Sequence, residues 1–105
     1  GVDVNQQNDK GETPLHIAAR NGLVGVLANL LLAGGDPNIR NKAGETPLHL
    51  VGGPLPHITA QVLLLHGAEL EAVAADGTRP VDRAKTLGNL LLINMLVQFD
   101  AKNKK

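Results

Sequence analysis

The sequence of 105 residues has no cysteine, serine, tryptophan or tyrosine, and Phe99 is its only phenylalanine. Without cysteine the chain has no disulfide framework, no thiolate metal site and no catalytic thiol, and without serine it has no serine nucleophile. The hydrophobic 43% of the residues is carried almost wholly by Leu, Val, Ala and Ile, so we expect an aliphatic core. The length allows one compact domain.

The chain also has no excess of charge of either sign. Ten basic side chains balance ten acidic ones, and the formal net charge is zero. Because nucleic-acid binding through phosphates needs a concentration of Lys and Arg, we expect no nucleic-acid partner. One small basic cluster, formed by Lys102, Lys104 and Lys105, is interpreted as a solvated terminus rather than a docking element.

Long hydrophobic runs are missing as well. The longest apolar stretch near the C-terminus, Leu90 to Val97, is interrupted by Asn94 and is far shorter than a membrane span. The sequence has no Asn-x-Ser/Thr acceptor for glycosylation and no secretion signal. We therefore expect a soluble intracellular chain, cytoplasmic or nuclear, with no membrane insertion.

What the sequence does contain is an internal repeat of 33 residues. The segment KGETPLH at residues 10–16 recurs as AGETPLH at 43–49 and, degraded, as DGTRPVD at 76–82. A second landmark keeps the same step, since GVDVN, GGDPN and GAELE begin at residues 1, 34 and 67. Two landmarks in one register indicate repeat units, and the chain divides into residues 1–7 as the end of an earlier unit, then 8–40, 41–73 and 74–105.

The period, the Gly-x-Thr-Pro-Leu-His motif and the Gly-x-Asp-x-Asn segment resemble the ankyrin-repeat family over essentially the whole chain. The resemblance implies an all-α solenoid in which each unit is a helix, a reverse turn, an antiparallel second helix and a projecting loop like a β-hairpin. It also implies a protein-binding scaffold without chemistry of its own, which is neither an enzyme nor the holder of a cofactor.

The residues of the first unit support that reading. Thr13 and Thr46 can each cap a helix through the side-chain oxygen, and each is followed by a proline that suits the first helical turn. The first helix is predicted to run about two turns and to end at Gly22 in the left-handed conformation. Residues 23–33 then form a longer apolar segment that we predict to be the second helix.

The middle unit departs from this pattern between its two helices. Two glycines and two prolines occupy residues 52–56, so we predict a first helix that ends near Val51 and a second that runs from Pro56 to about Leu65. The change is either drift tolerated in a surface turn or a rim reshaped for a partner.

The third unit is degraded at its cap. Arg79 and Asp82 replace the capping threonine and the histidine, so the cap is predicted to be lost or transferred to Thr78 or Asp76. The second helix, predicted over residues 89–99, is apolar on more faces than a terminal helix should be. Further sequence, a second molecule or the chain's own tail is expected to cover it. The chain is either a segment of a longer array or a genuine three-unit protein.

The four histidines are not interpreted as metal ligands. His16 and His49 share one motif position, where the family resemblance implies that the imidazole braces the turn by hydrogen bonding. His57 and His66 lack the spacing and the Cys neighbours of a zinc site. The sequence therefore predicts no metal site.

Acid–base chemistry and phosphate binding are not indicated either. Glu69 and Glu71 lie in a projecting loop, where we expect them to be exposed and without a pocket that could raise a pKa. The segment at residues 10–13 is similar to a phosphate-binding loop only in part, because the glycine spacing and the preceding strand are missing. We expect no catalysis and no cofactor.

The leading hypothesis is partner binding through the concave face, which the loop tips and the exposed sides of the first helices would form. In the family, contacts concentrate at variable residues that flank the motif. Carried over to this sequence, these residues are Gln7, Asp9, Lys10, Glu12, Arg20, Asn21, Arg40, Lys42, Ala43, Glu45, Gly53, Pro54, Val73, Ala75, Asp76, Thr78, Thr86 and Leu87. The row is mixed in sign and has no aromatic anchor, which favours a polar partner and modest affinity.

The alternative is a structural or targeting segment of a larger enzyme, channel or effector. Such a segment would dock a neighbouring domain rather than a separate ligand. The apolar last helix favours this alternative, and the same helix makes self-association an expected property of the isolated chain.

Overall fold

A computed structural model describes the backbone of residues 3–103 and the side chains of residues 3–100. This part of the chain forms five α-helices and one 3-10 turn and has no strand, which confirms the predicted all-α class. The elements in chain order are α1 (Pro14–Asn21), α2 (Val24–Leu32), the 3-10 turn (Pro47–Leu50), α3 (Pro56–Leu65), α4 (Pro80–Leu87) and α5 (Leu90–Asn103). The predicted solvated tail, Lys102, Lys104 and Lys105, lies outside the described side chains.

The elements are arranged in two rows. The inner row consists of α1, the 3-10 turn and α4, each in contact with the next. The outer row consists of α2, α3 and α5, again with neighbour touching neighbour, and each inner element also contacts the outer helix of its own unit. A pair of short helices buries little apolar surface alone, so the stability of each pair depends on the neighbouring pairs.

The core between the two rows is aliphatic, as predicted. Ala18 and Ala19 bring α1 close to its neighbours, since both side chains are small and buried. The fully buried leucines are Leu15, Leu27, Leu48, Leu63, Leu92 and Leu96. Phe99 packs against this cluster at its margin. Burial of a leucine side chain stabilises the fold by roughly 2 kcal/mol, and the stacking of units creates most of these buried positions.

The helix α1 begins and ends where its sequence predicts. The backbone N–H of Thr13 donates to Nδ1 of His16 at 3.0 Å, and the His16 N–H donates to Oγ1 of Thr13 at 3.4 Å. This reciprocal arrangement satisfies two backbone donors that the first turn of a helix leaves unpaired. Gly22, with φ of 68°, ends the helix in the left-handed conformation.

The predicted helix bounds in the middle unit are confirmed, since the 3-10 turn ends at Leu50 and α3 begins at Pro56. The 3-10 turn begins with the same kind of cap as α1, because the Thr46 N–H donates to Nδ1 of His49 at 3.1 Å. The segment between them has no helical hydrogen bonds to lose, so its prolines are accommodated without strain.

The two glycines of that segment have a packing role that neither sequence interpretation included. Gly52 donates its N–H to the carbonyl oxygen of Ala19 at 3.0 Å. A Cβ atom on Gly52 would lie 2.5 Å from the carbonyl oxygen of Arg20, and one on Gly53 would lie 2.8 Å from Cα of Gly22. Glycine therefore allows the main chains of the first two units to touch at the end of α1.

Of the predicted alternatives for the cap of α4, loss of the threonine cap is confirmed, because Arg79 has no side-chain oxygen that could accept from the helix. The cap is not transferred to Thr78 or Asp76. Asp82 takes the place of the histidine instead, since its Oδ2 accepts from the backbone N–H of Arg79 at 2.9 Å. Asp82 holds the third helical position, from which a carboxylate reaches back to the first free N–H. The hydrogen bonds from the backbone and the guanidinium of Arg79 hold the pKa of Asp82 below its ordinary value.

The last helix is longer than predicted. It begins at Leu90, after Asn89, whose Oδ1 accepts from the Leu92 N–H at 3.0 Å. It continues to Asn103, about one turn beyond Phe99. The asparagine cap fixes the start of α5, and the polar residues after Phe99 do not stop it because none of them is Gly or Pro.

The apolar surplus of α5 lies on its outer side. Leu92 and Leu96 are buried, whereas Leu90, Leu91 and Val97 are 72%, 64% and 52% exposed. Among the described residues, no helix combines the length and the hydropathy that a bilayer crossing requires.

Candidate partner-binding surface

The first two projecting loops are each closed by an asparagine and a glycine. The side-chain oxygen of Asn8 accepts from the N–H of Lys10 at 3.0 Å and of Glu12 at 2.9 Å, and Asn41 does the same in the second loop. Gly11 stands at the turn with φ of 76°, a conformation that other residues rarely adopt. The tips of the first two loops are therefore fixed by hydrogen bonds from their backbone N–H groups to an asparagine side chain.

Main-chain hydrogen bonds join the three tips to one another. The N–H of Lys42 donates to the carbonyl oxygen of Lys10 at 3.0 Å, and the N–H of Ala75 donates to that of Ala43 at 3.0 Å. We call these two bonds the tip ladder. They hold the loops of successive units at a fixed spacing that does not depend on the side chains of the tips.

The two motif histidines join the units below the tips. Nε2 of His16 lies 2.8 Å from the carbonyl oxygen of Glu45, and Nε2 of His49 lies 2.9 Å from that of Thr78. Nδ1 of each ring accepts a threonine N–H, so the proton of the neutral ring is assigned to Nε2. Burial lowers the pKa of both imidazoles. Their bracing role, implied by the family resemblance, is confirmed and extends across the units.

Two members of the predicted binding row, Gln7 and Arg40, form hydrogen bonds between neighbouring loops. Nε2 of Gln7 donates to the carbonyl oxygen of Gly11 at 2.7 Å and to that of Arg40 at 3.0 Å. Nη1 of Arg40 donates to the carbonyl oxygens of Gly44 and Val73. Both side chains thus link a loop to the next one.

Glu12, predicted as an exposed contact residue, is buried. Its carboxylate accepts two hydrogen bonds from Arg20, from Nη1 to Oε2 at 2.6 Å and from Nη2 to Oε1 at 3.1 Å. Only 7% of Glu12 is exposed, compared with 45% of the Arg20 side chain. The hydrogen bonds from Arg20 hold the pKa of Glu12 below its ordinary value. Arg20 is therefore the accessible member of the pair.

A second arginine, Arg83, pairs with one acidic residue of the second unit and one of its own unit. Nη1 of Arg83 donates to Oε2 of Glu45 at 2.6 Å, Nε donates to Oγ1 of Thr78 at 2.9 Å, and Nη2 lies 3.3 Å from Oδ2 of Asp76. Burial alone would raise the pKa of Glu45, but hydrogen bonds from Asn41 and Arg83 outweigh it and lower that pKa. The contact with Glu45 thus links the second unit to the third, while the contacts with Asp76 and Thr78 hold the Arg83 side chain within the third unit.

Sequence reasoning missed Arg83. It stands at the repeat position that Ile17 and Leu50 occupy in the first two units. A basic residue at an otherwise aliphatic position was the available signal. Its acidic partners could not be found from spacing, because the contact with Glu45 depends on how one unit stacks on the next.

The remaining predicted residues fall into two groups. Asn21 and Thr86 fold back onto the carbonyl oxygens of Ile17 and Asp82, and Gly53 lies in the joint between the first two units. The others are exposed, and their side chains form no hydrogen bond or ion pair within the described part of the chain. They are Asp9, Lys10, Lys42, Ala43, Pro54, Val73, Ala75 and Leu87. Whether any of the row contacts a partner stays a prediction.

Glu71 is exposed, as expected. Its carboxylate is paired with Nη1 of Arg79 at 3.0 Å. It also borders a recess of about 180 Å³ whose apolar lining includes Val81 and Leu96. Glu69 is exposed, as expected. Across residues 3–100, no three His, Asp or Glu side chains converge in a way that could hold a metal ion.

The comparison with known families agrees with this geometry. A family model described as ankyrin repeats (many copies) matches residues 1–51. Residues 1–51 thus belong to the ankyrin-repeat family. A search of curated proteins gives no match. Ankyrin repeats are generally protein–protein interaction modules, and the family is generally non-catalytic.

Proposed function

We propose that this chain is a protein-interaction module that binds its partner through the loop tips and the exposed side of the inner row, with no catalysis of its own. We call this region the inner surface. The observation that carries the proposal is that the residues of the row fall into two groups. Main-chain hydrogen bonds and a few hydrogen-bonded side chains fix the loops, while the other side chains of the row are exposed on these fixed loops. A rigid frame lowers the entropy lost on binding.

The proposal is tested by selecting binders from a library of small proteins and mapping their contact. Ala43→Trp together with Ala75→Trp places bulky side chains on two exposed tips without touching the tip ladder. Gln61→Trp is the matched control, since Gln61 is exposed on α3 in the outer row. Loss of binding in the tip variant alone supports the proposal. Loss only in the control, or binders that shift amide NMR signals only in α2 and α3, contradicts it.

A second candidate function is docking to a neighbouring domain or to a second copy through the outer side of α5. Leu87 at the end of α4 and Leu90 and Leu91 at the start of α5 are close in sequence and are 66%, 72% and 64% exposed, and we call these three residues the apolar corner. Such a corner is a frequent docking surface. Light scattering over a range of concentrations tests it: association that Leu90→Gln with Leu91→Gln abolishes supports docking there. A chain that stays monomeric at every concentration contradicts self-association. Leu32→Gln on α2, where Leu32 is 78% exposed, is the control.

A further inference from the structure

Charge is unevenly distributed over the inner surface, although the chain as a whole is neutral. Glu12 is neutralised by Arg20, and both Glu45 and Asp76 are paired with Arg83. Two guanidinium charges therefore offset three carboxylates and leave one negative charge at the Arg83 site. The sequence alone shows a row of mixed sign, but in the folded chain two of the four carboxylate charges of the row, those of Asp9, Glu12, Glu45 and Asp76, are compensated by these arginines.

The positive charge of the first two tips is not compensated in the same way. The Lys10 and Lys42 side chains are exposed and have no ion-pair partner among the described residues. Arg40 donates only to backbone carbonyl oxygens, which carry no net charge. Asp9 is the one carboxylate on these two tips that is exposed and has no ion-pair partner among the described residues. Three cations therefore face one anion in this group, which we call the tip cluster.

The tip cluster is ordered along the stack. The tip ladder places the Lys42 backbone at 3.0 Å from that of Lys10. The guanidinium of Arg40 is held by the carbonyl oxygens of Gly44 and Val73, so its charge lies between the second loop and the third. The cations thus follow one another from loop to loop, an arrangement that suits an elongated ligand crossing the loops.

We propose that the tip cluster binds an acidic segment of a partner protein, whose carboxylates pair with Lys10, Arg40 and Lys42. This inference rests on the proposed function and gives the partner a chemical class. Charged side chains on an exposed rim guide association and fix orientation. Val73, 49% exposed beside the Arg40 site, offers an aliphatic contact that a peptide side chain can use.

A nucleic acid fits the tip cluster less well. Binding through phosphates gains strength from many cations and from a net positive domain, whereas this cluster has three cations, an intervening Asp9 and a neutral chain around it. Single-stranded oligonucleotides therefore serve as the competing outcome in the test.

The test is selection of random peptides, displayed on phage, on the complete chain. We expect the selected peptides to be enriched in Asp and Glu and to lose affinity as salt increases. With such a peptide, Lys10→Ala combined with Lys42→Ala should weaken binding about tenfold, because each exposed ion pair contributes modestly. Lys85→Ala is the matched control: Lys85 is an exposed lysine on α4, away from the tips. It should leave affinity unchanged.

Charge reversal gives a second and more specific outcome. Lys10→Glu with Lys42→Glu should reject the acidic peptides and select basic ones. Circular dichroism establishes whether each variant is folded. If a double variant does not fold, Lys10→Gln combined with Lys42→Gln is used in its place. Selected peptides without acidic enrichment, acidic peptides that bind the lysine variants unchanged, or an oligonucleotide that binds more tightly would each overturn the inference. In those cases the proposed function stands; failure to select any binder overturns both.

Discussion

The imidazole Nε2 of His16 lies 2.8 Å from the carbonyl oxygen of Glu45, so a side chain of one repeat unit is bonded to the backbone of the next. The same ring accepts the N–H of Thr13 at the start of its own helix. One neutral imidazole thus caps a helix and joins two units, which makes its protonation state part of the fold.

Stability should therefore fall as the solution becomes mildly acidic. Burial lowers the pKa of His16 and His49 in the folded chain, so the unfolded chain binds protons more readily. The contribution is complete above about pH 6.5, the ordinary pKa of histidine, and is lost as the pH falls towards the folded-state pKa. Each ring contributes a slope of at most about 1.4 kcal/mol per pH unit.

Urea unfolding between mildly acidic and neutral pH measures this slope. His57→Gln with His66→Gln is the control, because these histidines lie outside the joints between units, and the slope should persist in that variant. If the slope disappears in the control variant, the pH dependence does not come from His16 and His49, and the prediction is contradicted.

Removal of Arg20 should destabilise the fold even though most of its charge is near water. Arg20→Ala leaves the carboxylate of Glu12 buried without its two donors. We expect the free energy of unfolding to fall by about 1 kcal/mol, a value limited by the exposure of the arginine. Chemical denaturation measures the loss. Glu12→Gln in the same background should recover part of it; a variant as stable as the parent chain would show that water replaces the arginine.

Alanine substitutions at two glycines should have opposite effects. Gly52→Ala forces a Cβ atom to within 2.5 Å of the Arg20 carbonyl oxygen, whereas a Cβ atom on Gly25, in α2, meets nothing within 4 Å. We expect Gly52→Ala to destabilise the chain by about 2 kcal/mol and Gly25→Ala to stabilise it by about 0.5 kcal/mol. Thermal unfolding of the two variants measures both changes in stability. Equal melting temperatures would mean that the first two units do not pack through Gly52.

Hydrogen exchange should show one protected amide inside an otherwise open turn. The Gly52 N–H is bonded to the carbonyl oxygen of Ala19, whereas Gly53 and Leu55 lie in the exposed segment before α3. We expect Gly52 to exchange more slowly than Gly53 and Leu55, and all amides of the middle of α1 to be protected. Protection of Gly53 and Leu55 equal to that of Ala18 would contradict the interruption between the 3-10 turn and α3.

The sequence predicted those features whose cause is local. Thr13 and Gly22 mark the two ends of α1 because a capping side chain and a left-handed glycine act within a few residues. The prolines of the middle unit likewise predicted the start of α3. The loss of the threonine cap of α4 was predictable for the same reason, whereas the role of the Asp82 carboxylate as acceptor for the Arg79 N–H was not predicted, although it is also local.

Features that depend on stacking were not predictable from one unit at a time. The pairing of Arg83 with Glu45 needs the third unit to lie against the second, and the pairing of Glu12 with Arg20 needs the first loop to lie against the end of α1. The sequence therefore predicts the candidate surface only as a row of positions, and partner binding by that row stays a prediction. Its division into engaged and exposed side chains required the three-dimensional arrangement.

The bonds between Lys42 and Lys10 and between Ala75 and Ala43 involve only backbone atoms. Any residue except proline can provide the donor, and any residue can provide the acceptor. Substitution of these four residues therefore changes what the protein recognises while both bonds are kept, whereas Gly11 and Gly44 are fixed, because a Cβ atom there would lie 2.9 Å and 2.7 Å from the donor nitrogens of Lys42 and Ala75. Such a chain can acquire a new specificity by a few substitutions, without passing through poorly folded ancestors.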